Sequence, residues 1–164
     1  YVSLTGSVQT PSGAPASGAI IRISTDHGAT WRSAIADVHG RFEYRLTRAA
    51  ETAALMVLTY QFPAKLITVG VNGKPVHITL RGDGGIVRFP DPRATVVSSP
   101  ATTAWAPAWV FSFPDPPGRF GGGVFLESGA YVACVAKDCR DITINPNTDQ
   151  VIEFSSPGQG KTEE

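Results

Sequence analysis

Val2, Leu4, Gly6 and Val8 alternate with Ser3, Thr5, Ser7 and Gln9, the period of two that turns one side of a strand to a core and the other to water. A strand is therefore expected at the start of the chain. Pro11, Ser12, Gly13, Ala14 and Pro15 form a turn cluster, after which residues 19–24 and 31–37 read as strands joined by the loop 25–30. Asp37, Val38, His39 and Gly40 make a second tight turn into the alternating segment 41–46. Residues 47–55 look helical for one or two turns. Strands are expected at 55–60, 66–71 and 76–80, the last two joined as a hairpin by Asn72, Gly73 and Lys74.

Residues 81–92 carry Gly82, Gly84, Gly85, Pro90 and Pro92 and read as a link between two units. Beyond it the pattern restarts, with strands expected at 108–113, 124–127, 130–136, 140–144 and 150–154. An internal repeat is visible. Gly40, Arg41 and Phe42 recur as Gly118, Arg119 and Phe120, and residues 67–80 align with 141–154, each a strand, an Asn-containing turn and a strand. The expected division is 1–85 and 86–164, the second unit ending in a polar tail. Two strand layers packed face to face bury the alternating apolar sides most simply.

Composition agrees with an all-β fold. Val (15) and Ile (10) outnumber Leu (7) and Met (1), and β-branched side chains suit a pleated strand. Gly (17) and Pro (13) imply many turns, while 42% apolar content argues against disorder. Lys plus Arg (14) balances Asp plus Glu (14), so the basic excess that neutralises phosphates is missing and nucleic acid is not expected as a partner. No apolar stretch is long enough for a membrane span. The chain starts at Tyr1 with a strand pattern beginning at once, which favours a trimmed, secreted product.

The segments Leu4 to Val8, Pro11 to Ala19 and Ala36 to Phe42 together resemble a carboxypeptidase regulatory-like domain, a transthyretin-like or Cna-B-like β-sandwich. In that family a "G-x-V" strand leads to a "G-x-P-x-x-G-A" turn, and a "T-D-x-x-G-x-F" turn follows the third strand. The match covers residues 1–81 well. Gly118 to Phe120 and Ser128 to Tyr131 echo it in the second unit. The resemblance implies two tandem Ig-like or transthyretin-like sandwiches serving as noncatalytic modules of secreted or surface proteins. Some relatives carry a Lys to Asn isopeptide bond, and with no Lys between Val2 and Val8 none is expected in the first unit.

Several residues are candidates for a site. Ser24, Asp26, Gly28, Thr30 and Trp31 match the Asp-box, "S-x-D-x-G-x-T-W", in which the carboxylate accepts backbone N–H bonds, the glycine takes a positive φ and the indole packs over the turn. The motif is expected to be structural. Trp109, Phe111 and Phe113 share a period of two and read as core, whereas Trp105, flanked by Ala104, Ala106 and Pro107, is the candidate for a sugar-stacking platform. Cys134 and Cys139 suit a disulfide across a short turn, since a metal site would need two further ligands nearby. His27, His39 and His77 stand in or near turns and strands, and Asp37 is already placed to cap its turn. No catalytic fingerprint occurs, so an enzyme, a metal site or a cofactor is not expected.

The resulting expectation is a noncatalytic extracellular or cell-surface protein that assembles with copies of itself into a filament or layer. Val2, Leu4, Gly6 and Val8 are the candidate donor strand, because an extended arm adds a ladder of hydrogen bonds to a neighbour's sheet. Low charge opposes such packing little. The alternative is a glycan-binding or adhesive accessory module using Trp105 or Trp31.

Overall fold

The computed structural model describes residues 2–46, 49–91, 93–98, 106–107 and 123–154, and every regular element among them is a strand. The first seven are β1 (Ser3–Gln9), β2 (Ile20–Ser24), β3 (Arg32–Ile35), β4 (Arg41–Arg45), β5 (Thr52–Leu58), β6 (Lys65–Gly70) and β7 (Val76–Thr79). The second seven are β8 (Gly84–Arg88), β9 (Thr95–Ser98), β10 (Ala106–Pro107), β11 (Gly123–Glu127), β12 (Gly129–Val135), β13 (Asp138–Ile144) and β14 (Asp149–Val151).

The first set forms two sheets, ordered β4, β1, β7 and β3, β2, β5, β6. The second forms two more, ordered β11, β8, β14 and β10, β9, β12, β13. Each strand of the first set thus has its counterpart seven strands later, in the same place in its sheet. The first and seventh strands of each set run parallel, β1 beside β7 and β8 beside β14, while the other ladders are antiparallel. The fold is all-β, two tandem sandwiches.

The first core lies between the first two sheets and contains Leu4, Val8, Ile21, Ile23, Phe42, Leu55, Val57, Ile78 and Leu80. Val87, Val96, Val124, Leu126, Ala133, Ile142 and Ile144 form the second core, which Met56, Leu58, Ala64 and Leu66 join from the first set. β5 is therefore covered on both faces, Leu55 and Val57 toward one core, Met56 and Leu58 toward the other. Burying Met56 and Leu58 contributes roughly 2 kcal/mol each to holding the two sets together.

Three expectations change. The helical reading of 47–55 gives way to a strand from Thr52, which starts three residues before the strand expected at 55–60: Ala53, Ala54 and Leu55 favour helix intrinsically, but a strand buried on both faces loses its alternation and reads as a continuous apolar run. Asn72 and Gly73 do not close a hairpin. Lys74 N–H does donate to Asn72 Oδ1 at 3.0 Å and Gly73 has φ 80°, yet β6 pairs with β5 and β7 with β1, so the turn carries the chain from one sheet to the other. The stretch read as a link contains β8, and its glycines serve close packing: a Cβ on Gly84 would meet the Pro63 side chain at 2.6 Å.

Candidate functional site

The turn between β2 and β3 assembles the Asp-box residues as one closed unit. Asp26 Oδ1 accepts from Thr30 N at 2.9 Å and from Ser24 Oγ at 2.8 Å, and Asp26 Oδ2 accepts from Thr30 Oγ1 at 2.6 Å. Gly28 N donates to Ser24 Oγ at 2.8 Å. His27 and Gly28 take φ 60° and 94°, which lets the chain reverse. These hydrogen bonds, Thr30's first, hold the Asp26 carboxyl down to about 2. Trp31 donates its indole N–H to Gly28 O at 3.0 Å and packs half-buried against the second core. The indole N–H bond and the contact with the second core anchor Trp31 in the turn. Trp105 lies outside the described residues.

β1 is the middle strand of its sheet, which corrects the expectation of a free donor arm. Ser3 to Ser7 pair with β4 and Gly6 to Gln9 with β7, so both of its edges are taken. Leu4 and Val8 are buried, and Gly6 lies so close to β7 and to Phe42 that a Cβ there would meet the ring at 2.9 Å. Donating this strand would tear out the centre of the first sandwich.

The outer face of the same sheet borders an open concavity of about 900 Å³. Ser7 sits between Arg41 on β4 and His77 on β7, and Ser7 Oγ shares a hydrogen bond of 3.0 Å with His77 Nδ1. Beside it, Gln9 Nε2 donates to Thr79 Oγ1 at 3.0 Å. A hydroxyl beside an imidazole is half of a nucleophile and base pair, but such chemistry also needs free N–H donors to receive developing negative charge. Here β1 is laddered on both sides, so its amides are engaged in the sheet. Asp37 caps the neighbouring turn, accepting from Arg41 N and His39 N at 2.9 Å each, which holds its carboxyl below the usual range. Among the described residues no group of His, Cys, Asp and Glu stands close enough to hold a metal.

Cys134 and Cys139 form a disulfide between directly opposed residues of β12 and β13, with Cα atoms 4.1 Å apart. The turn they close holds two residues, Ala136 and Lys137, and Ala136 takes φ 54°. Sequence reasoning missed the junction between the two sets. Ala64 bridges to Leu126 through Ala64 N to Phe125 O at 2.7 Å and Glu127 N to Ala64 O at 3.1 Å, capping the edge of β11. Next to it Glu127 is buried and accepts from Lys65 Nζ at 3.1 Å and Arg81 N at 3.2 Å. Tyr131 donates its buried hydroxyl to Glu127 O at 2.7 Å, and burial, then the Glu127 charge, push its pKa well above the ordinary value. Only the burial of a Glu beside Leu126 marks this site, and no spacing in the sequence announces it.

No protein-family model and no curated protein sequence matches the chain. Solved structures do. They include the TIE protein of Bacillus anthracis, with 10% identity over 93% of this chain and 33% of that one and a TM-score of 0.39. The minor pilin GBS52 of Streptococcus agalactiae has 11% identity, covers 94% of both chains and has a TM-score of 0.32. A streptococcal ancillary pilin has 10% identity over 93% of this chain and 61% of that one, with a TM-score of 0.35. This chain thus spans a third of the TIE protein's length. Likeness at this level carries no conclusion about activity. No described helix is long and apolar enough to cross a membrane.

Proposed function

We propose that the chain is a noncatalytic structural module of a secreted or surface-displayed assembly, of the transthyretin-like and carboxypeptidase regulatory-like kind, dividing at residues 81–83 between β7 and β8. The supporting observation is how its polar chemistry is spent. Asp26 and Asp37 close turns, Glu127 and Lys65 join the two sets, and the two cysteines pin a hairpin. Such groups hold strands in place and leave the molecule a scaffold.

Copies associate, in this reading, through edges that carry no further strand among the described residues, and not through β1. Among the described residues β3 and β4 are edge strands of their sheets, and Ile35 at the end of β3 and Val38 between the two strands are 67% and 72% exposed, an arrangement suited to adding a neighbour's strand. A glycan-binding reading has no comparable support, since Trp31 is held in its turn.

Immunogold negative-stain microscopy of producing cells and their medium tests the proposal. Label along polymeric material at the surface is the expected result. Label confined to the cell interior, with the protein recovered solely as a monomer, would overturn it.

A further inference from the structure

The two parallel strand pairs occupy equivalent places in the two sandwiches, and each is bridged by side chains. In the first, Gly6 to Gln9 lie beside Val76 to Thr79, Leu80 N extends the ladder to Gln9 O at 2.9 Å, and the Ser7 to His77 and Gln9 to Thr79 bonds cross it. In the second, Ile86 to Arg88 lie beside Asp149 to Val151, and Ile152 N extends the ladder to Arg88 O at 2.9 Å. There Arg88 grips Asp149 with both arms of its guanidinium, at 2.9 and 2.8 Å.

From this geometry we infer that the chain is built to bear tension along its length, through two side-chain-bridged shear clamps in series. The inference rests on the structural reading above and gives that reading a physical task. A pull on the start of β1 and the end of β7 drags two parallel neighbours in opposite directions along their common axis. Every bond across the pair is then loaded at once. An antiparallel pair pulled apart from one end breaks its bonds one after another. The tension leaving β7 passes through residues 81–83 into the start of β8, where the same arrangement meets it again. Exposed side-chain pairs add little to equilibrium stability, but bridges that lie across a sheared ladder share the load and slow forced unfolding, which depends on the rate of crossing the barrier.

Single-molecule force spectroscopy tests this on the whole chain, pulled in two directions. In one the handles are at the two ends. In the other they are at Ser3→Cys and Arg45→Cys, opposed residues at one end of the antiparallel β1 and β4 pair, so that β4 is peeled away. End-to-end pulling should require a several-fold higher force than peeling. The variants Gln9→Ala with Ser7→Ala, and separately Asp149→Ala, should lower the end-to-end force while leaving the peeling force and the denaturant midpoint nearly unchanged.

Equal forces in the two directions would overturn the inference without needing any variant to fold. So would variants that lower both forces and the midpoint together, which is the mark of a merely structural contact. A low end-to-end force in a protein still labelled on surface polymers would end the clamp and leave the structural role standing. A strong clamp in a protein confined to the cell interior would do the reverse.

Discussion

Lys65 Nζ lies 3.1 Å from Glu127 Oε1, joining the first strand set to the second through a carboxylate that is only 8% exposed at its side chain. Arg81 N serves the other oxygen of the same carboxylate at 3.2 Å. A buried charge with its partners in place is tolerated, whereas removing Lys65 leaves the carboxylate without its partner cation at Oε1, held by the Arg81 N–H at Oε2, at a cost of about 3 kcal/mol. Lys65→Ala should therefore lower stability by about that amount, measured as the shift in denaturant midpoint. Lys65→Met with Glu127→Gln, which removes both charges, should recover a large part of the loss. Equal destabilisation by the single and the double change would show that the pair acts through packing alone.

Asp26 gives a pH dependence whose direction is fixed by its environment. The folded-state pKa is depressed to about 2 from the ordinary 3.8, so the folded state favours the charged form. That contribution is fully present above the unfolded value and is lost as pH falls from near 4 toward 2. Thermal scans of the parent and Asp26→Asn should diverge at neutral pH and converge at the acid end. Curves that stay parallel through this window would place the acid sensitivity elsewhere.

Gly6→Ala should be among the most damaging conservative changes. Its Cβ would run into Val76 O and the Phe42 ring, backbone and a core side chain, neither free to move aside. Overpacking of this kind costs about 1 to 3 kcal/mol. Chemical denaturation reads it directly, and Gly13→Ala provides the contrast: its Cβ position meets nothing within 4 Å beyond its own chain neighbours, although its φ of 93° still imposes backbone strain.

Reduction of Cys134 and Cys139 should loosen the β12 and β13 hairpin without unfolding the protein. The loop is short, with a sequence separation of 5, and the loop-entropy model gives about 2 kcal/mol for closing it. Denaturant midpoints with and without reductant measure the difference. A complete loss of structure on reduction would mean that the hairpin nucleates the second core.

The parts of this fold legible in the sequence are those where one face is wet. β1 shows its alternation plainly because Ser3, Thr5 and Ser7 face outward while Leu4, Gly6 and Val8 face inward. The Asp26 turn is legible too, since all its partners lie within a few residues. What sequence could not supply is which edges meet. The same alternation describes a strand at the margin of a sheet and one at its centre, and only the ladders to β4 and β7 distinguish them. β5 hides for the opposite reason: with a core on each side, Ala53 to Leu58 have no polar face to set a period. Lys65 and Glu127 are separated by 62 positions and meet only through the junction that the fold creates. The aromatic segment with Trp109, Phe111 and Phe113, the Gly118 to Phe120 echo and the polar tail lie outside the described residues.

The position of β1 decides between a self-contained sandwich and a donor arm, and native-state hydrogen exchange reads it at the amides of Leu4 to Gln9. With both ladders formed and Leu4, Gly6 and Val8 buried, these amides should exchange in the slowest class, together with Leu55 to Val57 at the centre of β5. Exchange as fast as that of the exposed loop amides would show β1 detached from its own sheet and would contradict the account.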